Sequence, residues 1–222
     1  MSSMSSRQDG AGGSDQARRI ASHLRERIVR GALAPGVPLR QEQLATEFGT
    51  SRMPVREALR LLQAEGFVEL VRNRGAMVAP IDLRDLAEIH EMRVMAEAMA
   101  LRHAIPNLSN RRIDAAAAIQ DELETAPLAA FGDLNKAFHL TLYEASERPR
   151  LLAHVGLLND AADRYLRMAI GRLDYAPRSH AEHRALLAAC RDRDVPRAVA
   201  LLEDHVREAG RALHAALAAP RD

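Results

Sequence analysis

Cysteine is nearly absent: Cys190 is the single one in 222 residues. One thiol cannot close an intrachain disulfide, which excludes a disulfide scaffold and points to a reducing cytoplasm. Tryptophan is missing and aromatics make up 3% of the chain, while Ala, Leu, Arg and Glu abound. Strand formers are scarce, so the expected fold is mainly α. No apolar run approaches the roughly 18 residues of a membrane span. The start, MSSMSSRQDGAGG, lacks the apolar stretch of a signal peptide, and no membrane partner is expected. Hydrophobic residues still make up 47% of the chain, enough for one or two cores and too many for wholesale disorder.

An excess of charge of either sign is also missing, since 31 Lys+Arg face 30 Asp+Glu for a net of +1. The distribution is less even. Residues 18–74 hold eleven arginines against six glutamates, a local net of +5, whereas residues 75–222 hold 19 basic and 22 acidic side chains. A basic head on a mildly acidic body suggests an anionic partner for the head alone.

Residues 1–14 are Ser/Gly-rich, lack periodicity and are expected to form a disordered tail. Ser14 or Asp15 can cap a helix running to Arg30, with Ile20, Leu24 and Ile28 on one stripe and Gly31 as its stop. ALAPGVPL reads as a turn. A short helix follows over Gln41 to Phe48, burying Leu44, Ala45 and Phe48, and a third runs from Ser51 to Gly66 with Pro54 in its first turn. Phe67–Val71 and Ala76–Ala79 then flank Arg72-Asn73-Arg74-Gly75 as two strands and a tight turn, completing a domain over residues 15–80. From residue 81 to 222 the pattern is helical throughout. Six helices are predicted: Leu83–Ala104, Asn110–Thr125, Phe131–Ala145, Leu151–Arg172, Ser179–Arg191 and Val195–Leu217, with Asp194 capping the last.

The third helix carries the first chemistry. Val55, Ala58, Leu59 and Leu62 fall at i, i+3, i+4, i+7 and face the core. At 100° per residue, Arg52, Arg56 and Arg60 form a second stripe roughly 110° round from them. Aligned arginines on the N-terminal half of a helix suit entry into a major groove, where Arg bonds guanine O6 and N7 or grips phosphates. Ser51 offers a hydroxyl and nearby free N–H groups to a phosphate. Arg72 and Arg74 at the hairpin tip would reach the adjacent minor groove or backbone. The competing reading is a solvated face paired to glutamates; Glu57 lies beside the stripe but not at i±4 from it.

The stretch LRQEQLATEFGTSRMPVREALRLLQAEGFVELVRNRGAMVA resembles the winged helix-turn-helix of the GntR family of bacterial transcription regulators. The resemblance implies three helices plus a β-hairpin. It also implies that Ser51, Arg52, Arg56 and the wing residues Asn73, Arg74 and Gly75 contact operator DNA, with Arg40 a further base or phosphate contact. Met53 stands where a small hydroxylated residue is common in the family.

In the acidic body, histidines stand out. His183 lies on a stripe with Leu186, Leu187 and Cys190, His205 shares one with Leu201 and Leu202, and His139 shares one with Leu142 and Asn135. A single inward histidine is usually a hydrogen-bonded core residue. Three on three helices each need partners, and a divalent metal satisfies them jointly. NKAFH, AEHRALLAACRDRD and LLEDHV are similar to the all-helical FCD effector domain of the FadR subfamily within GntR, a six- to seven-helix bundle. Carried over, that resemblance makes Asn135, His139, His183 and His205 ligands of a divalent ion, zinc first, with nickel or manganese as alternatives. His180 is read as rim or surface.

Arg93 falls on the inward stripe of the first bundle helix and needs an anion, either Glu97 one turn on or a bound carboxylate. The family resemblance favours the carboxylate, which makes Arg93, with Arg164 and Tyr165 on helix position, the candidate effector contacts. The leading expectation is thus a homodimeric repressor on a pseudo-palindromic double-stranded DNA operator, controlled by a small organic acid. The alternatives are a metal-dependent enzyme, for which only Glu97 is expected on the inward faces as a base, and a ligand-independent architectural protein.

Overall fold

The computed structural model describes residues 8–72, 74–127, 130–169 and 175–219. The chain divides into two units between Ile81 and Asp82.

The first unit holds helices α1 (Gln8–Val29), α2 (Gln41–Glu47) and α3 (Arg52–Ala64) and strands β1 (Val68–Val71) and β2 (Gly75–Val78). Ile20, Leu24 and Ile28 of α1 are buried, as are Val55, Ala58, Leu59 and Leu62 of α3, and the two helices pack together. Gly66, at φ +76°, lets the chain leave α3 directly into the hairpin. Strands β1 and β2 are antiparallel, with Val68 opposite Val78 and Val71 opposite Gly75.

Three expectations need correction here. Helix α1 starts at Gln8, not at Ser14 or Asp15, so half of the expected tail is helical; Gly and Ser lower helix propensity by about 1 kcal/mol or less each but do not forbid helical angles. The rest of that tail, residues 1–7, lies outside the described residues. The ALAPGVPL segment is more than a turn: Pro38 bridges Met77, and Leu39 N–H donates to Ala76 O at 2.8 Å. Proline is tolerated there because the segment is an edge. Phe48 caps α2 half-buried, edge-on to His23 at 5.5 Å between ring centroids.

The second unit is a bundle of α4 (Leu83–Ala104), α5 (Asn110–Thr125), α6 (Phe131–Tyr143), α7 (Pro149–Ala169), α8 (Ala176–Arg191) and α9 (Val195–Ala218). Helix α4 packs against α6, α7 and α9, and α5 packs against α6 and α8. Caps follow composition: Asp82 accepts from Arg84 N–H at 2.9 Å, and Asp194 accepts from Arg197 N–H at 3.0 Å, as expected of it. Helix α6 ends two residues early in a 3-10 turn, Glu144–Ser146, because Glu147 turns left-handed at φ 53°. Helices α7 and α8 begin earlier than expected, at Pro149 and Ala176. A proline in a first turn starts a helix as readily as it bounds one. The expected end of α7 at Arg172 lies outside the described residues. No helix among the described residues is long and apolar enough to cross a membrane.

Candidate nucleic-acid interface and metal centre

On the first unit, Ser51 is the N-cap residue of α3 at φ −79°, ψ 167°, and its side chain makes no capping bond. Ser51 is exposed, and its hydroxyl is not spent on the first-turn N–H groups of α3. Arg52, Arg56 and Arg60 are all exposed, one turn apart. Their partners differ from expectation. Arg52 Nη2 meets Glu42 Oε1 at 2.7 Å from α2, and Arg60 Nη1 meets Glu57 Oε1 at 3.1 Å, at i,i+3 where i±4 spacing was considered. Both pairs are solvent-exposed and worth about 0–1 kcal/mol, so an incoming phosphate displaces them readily. Arg56 Nη2 meets the Met53 sulfur at 3.0 Å and no carboxylate among the described residues. Arg40, at the N-cap of α2, and Arg72 and Arg74, flanking the hairpin tip, are exposed. Gly75 sits at φ +77° with no atom within 4 Å of where a Cβ would stand, so the glycine serves the turn and not a close contact. Asn73 lies outside the described residues.

In the second unit, α6, α8 and α9 bring His139, His183 and His205 together, with one ring nitrogen from each within 4.8 Å of the others. The rings are 0%, 0% and 4% exposed, which puts them in the dry interior. His183 Nδ1 lies 2.6 Å from Gln120 Oε1. Gln120 directs its amide N–H to Glu124, so its oxygen must accept and His183 must donate. His205 Nδ1 lies 2.8 Å from Glu182 Oε2. Burial pushes the Glu182 carboxyl up, but hydrogen bonds from His205, Tyr175 and Arg178 outweigh it and hold it at about 2. His139 Nδ1 lies 3.2 Å from the Tyr143 hydroxyl, whose proton goes to Glu97 Oε2 at 2.8 Å. Each Nδ1 is thus a donor, and His139 and His183, held neutral by burial, keep Nε2 as a bare lone pair.

His183 Nε2 and His205 Nε2 meet at hydrogen-bond distance, 3.3 Å apart, and His139 Nε2 has no hydrogen-bond partner among the described residues. Burial, then the neighbouring rings, holds His139 and His183 well below the usual imidazole range. Three clustered imidazoles with anchored Nδ1 atoms are the donor set a first-row divalent ion takes. The residues fit that group. Asn135 stands half-buried on α6 one turn before His139. His180 is half-buried at the rim, 3.1 Å from the Gln120 amide.

Arg93 is 6% exposed, and its Nε donates to Glu97 Oε1 at 2.8 Å and its Nη2 to Asn159 Oδ1 at 3.1 Å. Arg93 thus pairs with Glu97, the first of the two anions considered for it. Arg164 and Tyr165 do not join the histidines: the Tyr165 hydroxyl donates to Asp85 at 2.5 Å and accepts from Arg164 Nη2 at 3.1 Å. Asp85 lies in the first turn of α4, about 12 Å of helix before Arg93. The expectation that Glu97 alone accompanies the histidines is corrected, since Glu182 bonds His205 directly. Sequence reasoning also missed Gln120 and Tyr143; the i,i+4 spacing of Tyr143 from His139 was the available signal.

The chain matches the family described as bacterial regulatory proteins, gntR family, over residues 16–78, and the FCD domain over residues 88–208. It is 30% identical over 197 residues to an HTH-type transcriptional regulator from an unstable DNA locus of Streptomyces ambofaciens, covering 86% of this chain and 81% of that one. It is 29% identical to the HTH-type transcriptional repressor GlaR of Escherichia coli K12, covering 82% and 89%. A crystal structure of a GntR-family regulator from Pseudomonas syringae pv. tomato DC3000 shares 34% identity and 91% of this chain, 86% of its own, at a TM-score of 0.58. These proteins are transcriptional regulators, which leaves the enzyme alternative without support.

Proposed function

The chain belongs to the GntR family of bacterial regulatory proteins and carries an FCD domain, and on that premise we propose a homodimeric repressor whose operator affinity is set by a small organic acid held at a metal centre. Each α3 enters a major groove of a pseudo-palindromic site in the cytoplasm, with Arg56 and Arg52 reading bases or phosphates. Ser51 and the α3 N–H groups hold a phosphate, as Arg40, Arg60 and the wing residues Arg72, Asn73, Arg74 and Gly75 hold flanking backbone.

The observation that carries the sensing half is the convergence of three Nδ1-anchored imidazoles on one point. His139, His183 and His205 hold the ion, with Asn135 as the fourth protein ligand. Zinc fits the nitrogen donors best, with nickel or manganese as alternatives. The ion supplies a Lewis-acidic seat for a carboxylate. Arg93 supplies the guanidinium, exchanging one of its present partners, Glu97 or Asn159, for the incoming acid. Arg164 and Tyr165 are engaged with Asp85, and the proposal does not rest on them.

Metal analysis of purified protein tests the centre. Stoichiometric zinc, nickel or manganese, lost in His139→Ala, is the expected outcome; metal-free wild-type protein that takes up none of the three sinks it. A thermal-shift screen against small carboxylates, with and without chelator, tests the effector. The expected stabilisation disappears with the chelator and in the His139→Ala variant.

A further inference from the structure

Arg93 and His139, the two ends of the proposed sensing site, are joined by one continuous chain of hydrogen bonds that neither metal binding nor carboxylate binding requires. Glu97 stands at its centre. Its Oε1 accepts from Arg93 Nε at 2.8 Å and from Asn159 Nδ2 at 3.2 Å, and its Oε2 accepts from the Tyr143 hydroxyl at 2.8 Å. The Tyr143 oxygen then accepts from His139 Nδ1–H at 3.2 Å. Arg93 is 6% exposed, and Glu97, Tyr143 and His139 are 0% exposed, so water does not substitute for any link. Burial, and the Glu97 carboxylate beside it, keep the Tyr143 hydroxyl protonated.

A phenol has one proton to give. Here Glu97 takes it, and only the oxygen lone pairs remain to meet His139. That polarity forces the proton of His139 onto Nδ1 and bares Nε2. We propose that Glu97 and Tyr143 are positioning residues that fix the His139 tautomer, and that Arg93 sets how strongly they do so. When Arg93 turns to an incoming carboxylate, Glu97 loses a competing donor and draws harder on the Tyr143 proton. The Tyr143 oxygen then accepts more strongly from Nδ1–H, and Nε2 becomes a better electron donor toward a cation. Cation and carboxylate favour each other through the chain's own side chains, and reciprocally. His183 and His205 are anchored by Gln120 and Glu182 instead, outside this relay.

The coupling to a cation rests on the metal reading, whereas the tautomer claim does not. Imidazole 15N spectra of metal-free protein should show His139 as the Nδ1–H form. Tyr143→Phe should populate the Nε2–H form at His139, leave His183 and His205 unchanged, and weaken zinc affinity about 10–100-fold in chelator competition. Arg93→Lys, which keeps charge but loses the Nε–H, should change zinc affinity by at least about twofold in the wild type and not in Tyr143→Phe, the mark of coupling within one network. An unchanged His139 tautomer in folded Tyr143→Phe, or additive effects of the two substitutions, overturns the relay. If Tyr143→Phe does not fold, Glu97→Gln gives the same reading, because its amide N–H reverses the bond to the Tyr143 oxygen. A wild type that takes up none of zinc, nickel and manganese ends the metal reading alone, and the tautomer still decides the relay.

Discussion

Arg56→Ala is the most informative perturbation of the first unit, because the three arginines of α3 are not equivalent. Arg52 and Arg60 sit in exposed pairs with Glu42 and Glu57, at 68% and 62% side-chain exposure, and must exchange a glutamate for a phosphate on reaching DNA. Among the described residues Arg56 holds a thioether sulfur, a weak acceptor, and no carboxylate that it must release. Its full interaction with DNA therefore counts. A base contact is worth about 1–3 kcal/mol per head, so in the proposed homodimer two heads on one operator lose about 2–6 kcal/mol, roughly 30-fold to 20,000-fold in affinity. Fluorescence anisotropy against operator and scrambled duplex, over a range of salt, separates the roles. Loss of operator affinity with scrambled binding kept means base reading. Equal loss on both, with a salt slope shallower by about 1.8 for two heads, means phosphate contact. Glu57→Gln is the counterpart: it frees Arg60 and should tighten binding to any DNA by less than about 1 kcal/mol per head. Operator binding unchanged within about twofold, at an unchanged slope, refutes the placement of α3 in the groove.

Three further outcomes follow from the bundle. A Cβ on Gly210 would stand 2.7 Å from Cγ of His90, whose Nδ1 is pinned to Val206 O at 3.2 Å. Gly210→Ala should therefore destabilise by about 1–2 kcal/mol in spite of its helix propensity, and should become stabilising in a His90→Ala background; the same sign in both, by chemical denaturation, contradicts the clash. Burial, with Arg93 nearby, lowers His90 to about 4. The unfolded chain then binds a proton from about pH 6.5 downward and the folded one only near 4, so stability is full above 6.5 and falls by up to about 3 kcal/mol between those values. His90→Gln should flatten that decline, and an identical decline in wild type and variant removes His90 as its cause. Asp82→Ala, which strips the cap of α4, should cost about 1 kcal/mol, read as a shift in thermal midpoint of a few degrees; no shift denies the cap any role.

Local periodicity carried most of the fold. Helical stripes repeat every three or four residues, so the Val55–Leu62 face and the inward histidines could be read from spacing, and Asp194 from its place before an apolar run. The environment of the histidines could not. Gln120 meets His183 across 63 positions of sequence, and Asn159 meets Glu97 across 62. No window of a helix turn contains such pairs, and isolated polar residues on largely apolar helices give no periodic signal. Pro38 illustrates the opposite failure, where a strong local turn signal masked a single edge bridge to Met77. Arg93 shows a third. Its need for an anion was plain from the pattern, but the choice between Glu97 and a ligand belongs to the folded interior.

The three histidines come from α6, α8 and α9, with 66 positions between the first and the last. An ion seated among them is a reversible cross-link in a chain whose lone cysteine cannot make a permanent one. An ion that binds the native bundle and not the unfolded chain would add about 1.4 kcal/mol to the folding free energy for each tenfold rise in free ion above its dissociation constant. Under the proposed centre, the stability of the bundle would then report the free metal around it.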